Sequence, residues 1–84
     1  MEAELITVQV CYFAVLRDRS GLSMESLDTE CKTVRELVDD LVERRRLGLP
    51  SPLIRAAING SFVEDSSTLD DGDEIDLIPP VSGG

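Results

Sequence analysis

The last six residues, Pro79-Pro80-Val81-Ser82-Gly83-Gly84, carry the residue types in this chain best suited to chemistry. Two adjacent glycines at a terminus arise by chance about 0.5% of the time at an average glycine frequency of about 7%, which argues against a merely frayed tail. Gly83 and Gly84 lack a Cβ, so a chain ending in them can enter a narrow channel and accept torsions closed to other residues. Pro79-Pro80 ends a sheet edge and stiffens the exit into an extended course. The group presented at the tip is then the α-carboxylate of Gly84. A carboxylate is a poor electrophile, so its use requires activation, for instance as an acyl-adenylate. A sulfur donor could then replace oxygen and leave a thiocarboxylate.

Other candidates have plainer readings. The acidic stretch from Glu64 to Asp76 lacks the ligand spacing and terminal bidentate Glu of a calcium loop, and it reads as a solvated turn. Within it, Asp71-Gly72-Asp73 suits a turn in which Gly supplies a positive φ. Cys11 falls mid-strand, and Cys31 lies beside Lys32 ahead of a helix. Neither has metal-ligand or redox spacing, and both read as inert thiols. Arg44-Arg45-Arg46 invites a phosphate-binding reading. Its place in the last turn of a helix favours a solvated, dipole-complementing role instead.

Length and composition bound the rest. Eighty-four residues make one domain with one modest core. The chain is 42% hydrophobic but only 4% aromatic, so aliphatic side chains must fill that core. Eight basic and 17 acidic residues give a net charge of −9, which disfavours nucleic acid and anionic membranes as partners. With no His, Ser-His-Asp and Cys-His arrangements are excluded. No metal site is expected. No apolar run approaches the roughly 18 residues needed to cross a bilayer. The acidic start Met1-Glu2-Ala3-Glu4 lacks the basic region of a signal peptide, so a cytoplasmic domain with reduced thiols is expected.

The elements that would position the tail follow from periodicity. From Leu5 to Phe13, Ile6, Val8, Val10 and Tyr12 share one face, while Thr7, Gln9, Cys11 and Phe13 share the other, which predicts a strand. Arg17 to Gly21 reads as a polar turn. Ser23 to Thr29 is a weaker strand, pairing as an antiparallel hairpin with the first. Val34, Leu37, Val38, Leu41 and Val42 form one helical stripe. Thr33 and Glu36 supply a capping box, and Gly48 and Pro50 a stop, so a helix is predicted over about Thr33 to Leu47. Leu53 to Ile58 reads as a strand, Asn59-Gly60 as a turn, Phe62-Val63 as a short return strand, and Glu74 to Ile78 as the last strand. Strands with one helix across them make an α+β two-layer sandwich. If Ile6, Val8, Val10, Ile75 and Leu77 face the helix, Phe13 and Ile78 face away, with Phe62 near them. Large apolar side chains grouped there suggest a partner surface.

These residues resemble the small, sulfur-carrier subunits of molybdopterin synthase, a ubiquitin-like sulfur carrier family. The matching segments are Tyr12-Phe13-Ala14 with Leu16-Arg17, Thr33-Val34-Arg35-Glu36-Leu37, Ala57-Ile58-Asn59, Asp71-Gly72-Asp73-Glu74 and the terminal Pro-Pro-Val-Ser-Gly-Gly. Leu77-Ile78 stand where many bacterial members have two aromatics. The resemblance implies a β-grasp domain over 1–78, with a mixed sheet of four to five strands on one main helix, and an extended tail over 79–84. It implies that Gly84 is adenylated by an activating enzyme related to ubiquitin E1, with ATP consumed there and no cofactor bound stably by this chain. The resulting thiocarboxylate would enter the large synthase subunit in a two-plus-two heterotetramer and donate sulfur to cyclic pyranopterin monophosphate. The catalysing side chains would belong to the partner. Pro79, Pro80, Val81, Ser82 and Gly83 would insert, and Phe13, Phe62 and Ile78 would dock. A protein-conjugating modifier and a plain interaction domain are the competing readings. Lys32, the only lysine, would severely limit self-built chains.

Overall fold

Alternating apolar residues build the central strand. In the computed structural model, which describes residues 4–80, strand β1 spans Ile6–Tyr12 and β2 spans Met24–Thr29. Strands β3 (Arg55–Ile58), β4 (Ser61–Val63) and β5 (Glu74–Ile78) complete one five-stranded sheet in the order β2-β1-β5-β3-β4. Strands β1 and β5 are parallel, and the other three pairings are antiparallel. The register places Val8 opposite Leu27, Val10 opposite Ile75, and Tyr12 and Ala56 on either side of Leu77. These side chains are buried together with Val34, Leu37, Val38 and Leu41 of helix α2 (Val34–Arg44) in one aliphatic core. Packing on this helix therefore determines which face of every strand is apolar.

Helix α2 starts as the sequence predicts. The Glu36 N–H donates to Thr33 Oγ1 at 3.3 Å, and the Thr33 N–H donates to Glu36 Oε1 at 3.1 Å. Backbone donors from Lys32 and Thr33 hold the Glu36 carboxyl below its ordinary range. The helix ends at Arg44 rather than Leu47. Arg46 takes a left-handed φ of 52°, its N–H returns to the Glu43 carbonyl, and the Leu47 N–H returns to the Val42 carbonyl at 3.1 Å. This is a Schellman ending with Arg in the position that favours glycine, and it turns Leu47 into the core. Arg46 is exposed, so Arg46→Gly is expected to stabilise the fold by about 0.5–1 kcal/mol, after discounting the extra freedom of Gly in the unfolded chain. A thermal melt should show a Tm roughly 2–8 °C higher.

Two further segments differ from the sequence reading. Val15–Ser20 is a short helix, α1, rather than a polar turn. It buries only Leu16, too few apolar positions to reveal a helical period, and it closes on Gly21 in the left-handed conformation. Ser51–Leu53 is a 3₁₀ turn, so β3 begins at Arg55 rather than Leu53. The Leu53 and Ile54 N–H groups return to the carbonyls of Pro50 and Ser51, which removes them from the sheet ladder. Asn59 and Gly60, both at positive φ, form the two-residue hairpin between β3 and β4. Among the described residues, no helix is long and apolar enough to cross a membrane.

Candidate functional site

The side of the sheet away from α2 is assembled by register. Met24, Cys11, Asp76, Ala57 and Phe62 lie in one row across β2, β1, β5, β3 and β4. Ile78 pairs with Arg55 in the next row. The Phe13 N–H donates to the Leu77 carbonyl at 3.3 Å, and alternation brings Phe13 beside Ile78 on the same face. Phe13 is 46% exposed and Phe62 58%, whereas the core-facing Tyr12 is 2% exposed. The Arg55 guanidinium stacks 4.5 Å from the Phe62 ring centroid, which places a cation between Phe62 and Ile78 on this face. The register thus puts Phe13, Phe62 and Ile78 on the one face that the alternation predicts, Phe13 beside Ile78 and Phe62 two strands from Ile78.

Strand β5 carries the tail. Ile75 and Leu77 are fully buried, so this strand is anchored between β1 and β3. Pro79 follows at once, half-buried, and Pro80 is exposed. Neither has an N–H to extend the ladder, so pairing stops where the tail begins. Pro79 and Pro80 therefore leave the sheet beside the Phe13 and Ile78 patch. Val81, Ser82, Gly83 and Gly84 lie outside the described residues.

The acidic turn has a structural account. The Gly72 N–H donates to the Thr7 carbonyl at 2.7 Å, with Gly72 at a φ of 87°, and the Thr7 N–H donates to Asp71 Oδ1 at 2.8 Å. Asp73 is buried, and its two oxygens accept from Asn59 Nδ2 at 3.1 Å and from the Asp70 N–H at 2.8 Å. Asp73 ties the β3–β4 hairpin to the start of β5 and has a donor on each oxygen, while Asp71 ties the turn to β1.

One group of metal-ligating types occurs among the described residues. The ligand atoms of Cys11, Glu74 and Asp76 lie within 4.8 Å of one another. Burial, and then the neighbouring Asp76 charge, push the Cys11 thiol up from its ordinary range. The protonated thiol is a weak nucleophile and a poor cation ligand. Cys31 is half-buried at the entry to α2, where its N–H donates to Thr29 Oγ1 at 3.0 Å.

A second feature has no counterpart in the sequence reading. Tyr12 Oη donates to Glu25 Oε2, and Arg45 grips both Glu25 oxygens, with Nε at 2.9 Å. Burial and the Glu25 charge push the Tyr12 hydroxyl well above its ordinary range. Burial alone would raise Glu25, but the hydrogen bonds from Arg45 and Tyr12 outweigh it and hold its carboxyl low. The sequence did hold a signal. Glu25 shares its strand face with buried Leu27, so a charge there needs a partner. Arg44 pairs with Asp40 at 3.0 Å one helical turn earlier, so the arginine run is divided among separate neighbours.

A mixed five-stranded sheet folded over one long helix, with a strand leading directly into a tail, is the ubiquitin-like β-grasp. Solved structures share it over nearly the whole chain. The small archaeal modifier protein 1 from Methanosarcina acetivorans is 27% identical with a TM-score of 0.75, covering 96% of this chain and 99% of that one. One chain of the protein-protein complex of subunits 1 and 2 of molybdopterin-converting factor from Helicobacter pylori 26695 is another match. It is 28% identical with a TM-score of 0.64, covering 94% of this chain and 100% of that one. The chain belongs to the ThiS family, which it matches over residues 10–84. It is also 31% identical over 80 residues to the molybdopterin synthase sulfur carrier subunit of Escherichia coli K12, covering 92% of this chain and 99% of that protein.

Proposed function

We propose that this protein is the sulfur-carrier subunit of a molybdopterin synthase and works in the cytoplasm. The observation that carries the reading is the likeness to the Escherichia coli carrier subunit along essentially the whole of both chains. In this reading the Gly84 carboxylate attacks the α-phosphorus of ATP on an activating enzyme related to ubiquitin E1 and releases pyrophosphate. A sulfur donor then displaces AMP from the glycyl adenylate, leaving a thiocarboxylate. The large synthase subunit receives Pro79 to Gly84, and the sulfur passes to cyclic pyranopterin monophosphate. This chain holds no stable cofactor, and ATP is consumed by the activating enzyme. A two-plus-two assembly with the large subunit follows from the same reading.

The body contributes aim. A fixed strand end and a helix-free apolar face let the tail enter a partner without reordering the domain, which limits the entropic cost of association. Intact mass spectrometry tests the chemistry. Incubation with ATP, activating enzyme and sulfur donor should replace one oxygen by sulfur at Gly84. A mass that stays at the carboxylate value counts against the reading.

Phe13, Phe62 and Ile78 form the docking face in this proposal. Phe62→Asp should weaken binding to the large subunit by at least about 30-fold, the effect of losing one buried aromatic anchor. Because Phe62 is exposed in the free chain, stability should change by no more than about 0.5–1 kcal/mol. Titration calorimetry and a melt read the two effects separately. The likeness to the archaeal modifier protein favours a second reading, a protein conjugated through Gly84 to target lysines. Heavier species on a denaturing gel that resist thiol reductant would support it.

A further inference from the structure

The charges of this acidic chain are divided between the two ends of the sheet. Strands β1 and β5 run parallel, and β2 and β3 run against them, so Tyr12, Ile78, Met24 and Arg55 all lie at the end where the tail departs. Helix α1 follows β1 at that end and carries Arg17 and Arg19. Arg19 Nη1 donates to the Leu47 carbonyl at 2.9 Å, which brings the segment after α2, with Arg45 and Arg46, to the same place. Five of the eight basic residues are therefore grouped at the end of the sheet where the tail departs, whereas Arg44 folds back on Asp40 and lines the cleft with Leu5 and Asp28. Arg44 and Arg45 are neutralised by Asp40 and Glu25. Arg17, Arg19, Arg46 and Arg55 have no carboxylate within 4.0 Å among the described residues, and Asp18 and Glu43 share their end without pairing with them.

The opposite end carries the reverse charge. Hydrogen bonds between Thr7 and the 71–72 turn hold Asp70, Asp71 and Glu74 at the start of β1, with Asp28 paired to Thr7. A seven-residue strand separates the two ends by roughly 20 Å, about two Debye lengths at physiological salt, so each end presents its own sign to an approaching molecule.

We propose that this arginine collar is an electrostatic docking surface for a protein that carries an acidic rim around the mouth of the channel taking the tail. The inference rests on the reading that the tail enters a partner. A folded protein fits better than a small anion because the four arginines flank the tail instead of converging on one cavity. The open clefts at Thr33–Ser66, Leu5–Arg44 and Glu4–Asp70 are lined by none of them. The remaining surface of a chain with net charge −9 repels an acidic rim, so only tail-first approach is favourable. The collar thus acts on association rate and orientation, whereas the apolar patch governs residence.

The test compares two double charge reversals with the same net charge. Arg17→Glu with Arg46→Glu alters the collar, and Lys32→Glu with Arg35→Glu alters the far end. Stopped-flow association of each full-length chain with the large subunit is measured at 20 mM and 500 mM salt, after a melt has shown both variants folded. The collar variant should associate at least about 10-fold more slowly at low salt and the far-end variant less than about 3-fold, with the difference vanishing at high salt. The neutral pair Arg17→Gln with Arg46→Gln should fall between wild type and the collar reversal. Equal slowing by both reversals, or a salt-independent difference, overturns the collar alone. Wild-type chain that fails to bind the large subunit at any salt overturns the partner reading and this inference together.

Discussion

Adding a single residue after Gly84, or replacing Gly84 by Leu, is expected to lower dithiolene formation by about 10²-fold or more while leaving the melting temperature unchanged. The size of the effect follows from positioning. A reacting carbon held at the end of a narrow channel loses about two orders of magnitude in rate when displaced by about 1 Å, and an added residue displaces it by about 3 Å. The extension also turns the reactive carboxylate into an amide. The fold should not notice, because its last paired residue is Ile78 and its core closes over Ile75 and Leu77. A coupled assay with activating enzyme, large subunit and pterin substrate measures product, and a melt measures the body. Full-rate product from the extended chain would remove the terminal carboxylate from the mechanism. Loss of product with a much lowered melting temperature would mean that the tail is part of the folded structure rather than its cargo end.

The parts of this structure legible in the sequence are those where a single local rule decides. Thr33 and Glu36 determine where α2 begins because both halves of the capping box lie within one turn. The β1 pattern could be read because burial on one side forces a period of two, and the same parity puts Ile78 with Phe62 on the open face. The parts not legible depend on contacts distant in sequence. Helix α1 is six residues long and is held by one buried leucine and by an arginine reaching Leu47, 28 residues away. The early end of α2 was hidden because Arg46 occupies a left-handed position in which a sequence reader expects Gly or Asn. The Tyr12, Glu25 and Arg45 cluster joins three segments distant in sequence, so Glu25 on the face of Leu27 signals that a partner is needed but not that Tyr12 and Arg45 supply it. The grouping of arginines around the tail appears only once strand directions are known. In sequence they are scattered from Arg17 to Arg55.

Replacing Glu25 by Ala should destabilise the fold by about 2–3 kcal/mol, lowering Tm by about 10–20 °C at neutral pH. The carboxylate is the acceptor for both Tyr12 Oη and the Arg45 fork, and its side chain is 12% exposed. Its removal leaves a buried phenol without a partner and a guanidinium, 30% exposed, that must find water. Tyr12 lies directly opposite Leu77, so the loosened end of β1 is the end that holds the tail-bearing strand. The pH dependence separates this account from a simple packing loss. The Glu25 carboxyl is held below its ordinary value of 4.5 in the folded chain, so its contribution is complete above that value and is lost as pH falls through the lower folded value. The gap in Tm between wild type and Glu25→Ala should therefore be widest near neutral pH and shrink steadily below pH 4.5. Tyr12 acts in the opposite direction at high pH, because its folded value is raised and stability falls as pH rises above the ordinary phenol value of 10.0. Glu25→Gln separates the two interactions, since the amide still accepts from Tyr12 but no longer neutralises Arg45. Its Tm should lie between those of wild type and Glu25→Ala, with only the part of the wild-type acid-side slope that Glu25 supplies gone. A gap that stays constant from pH 7 to pH 3 would show that Glu25 acts through its volume and not through its charge.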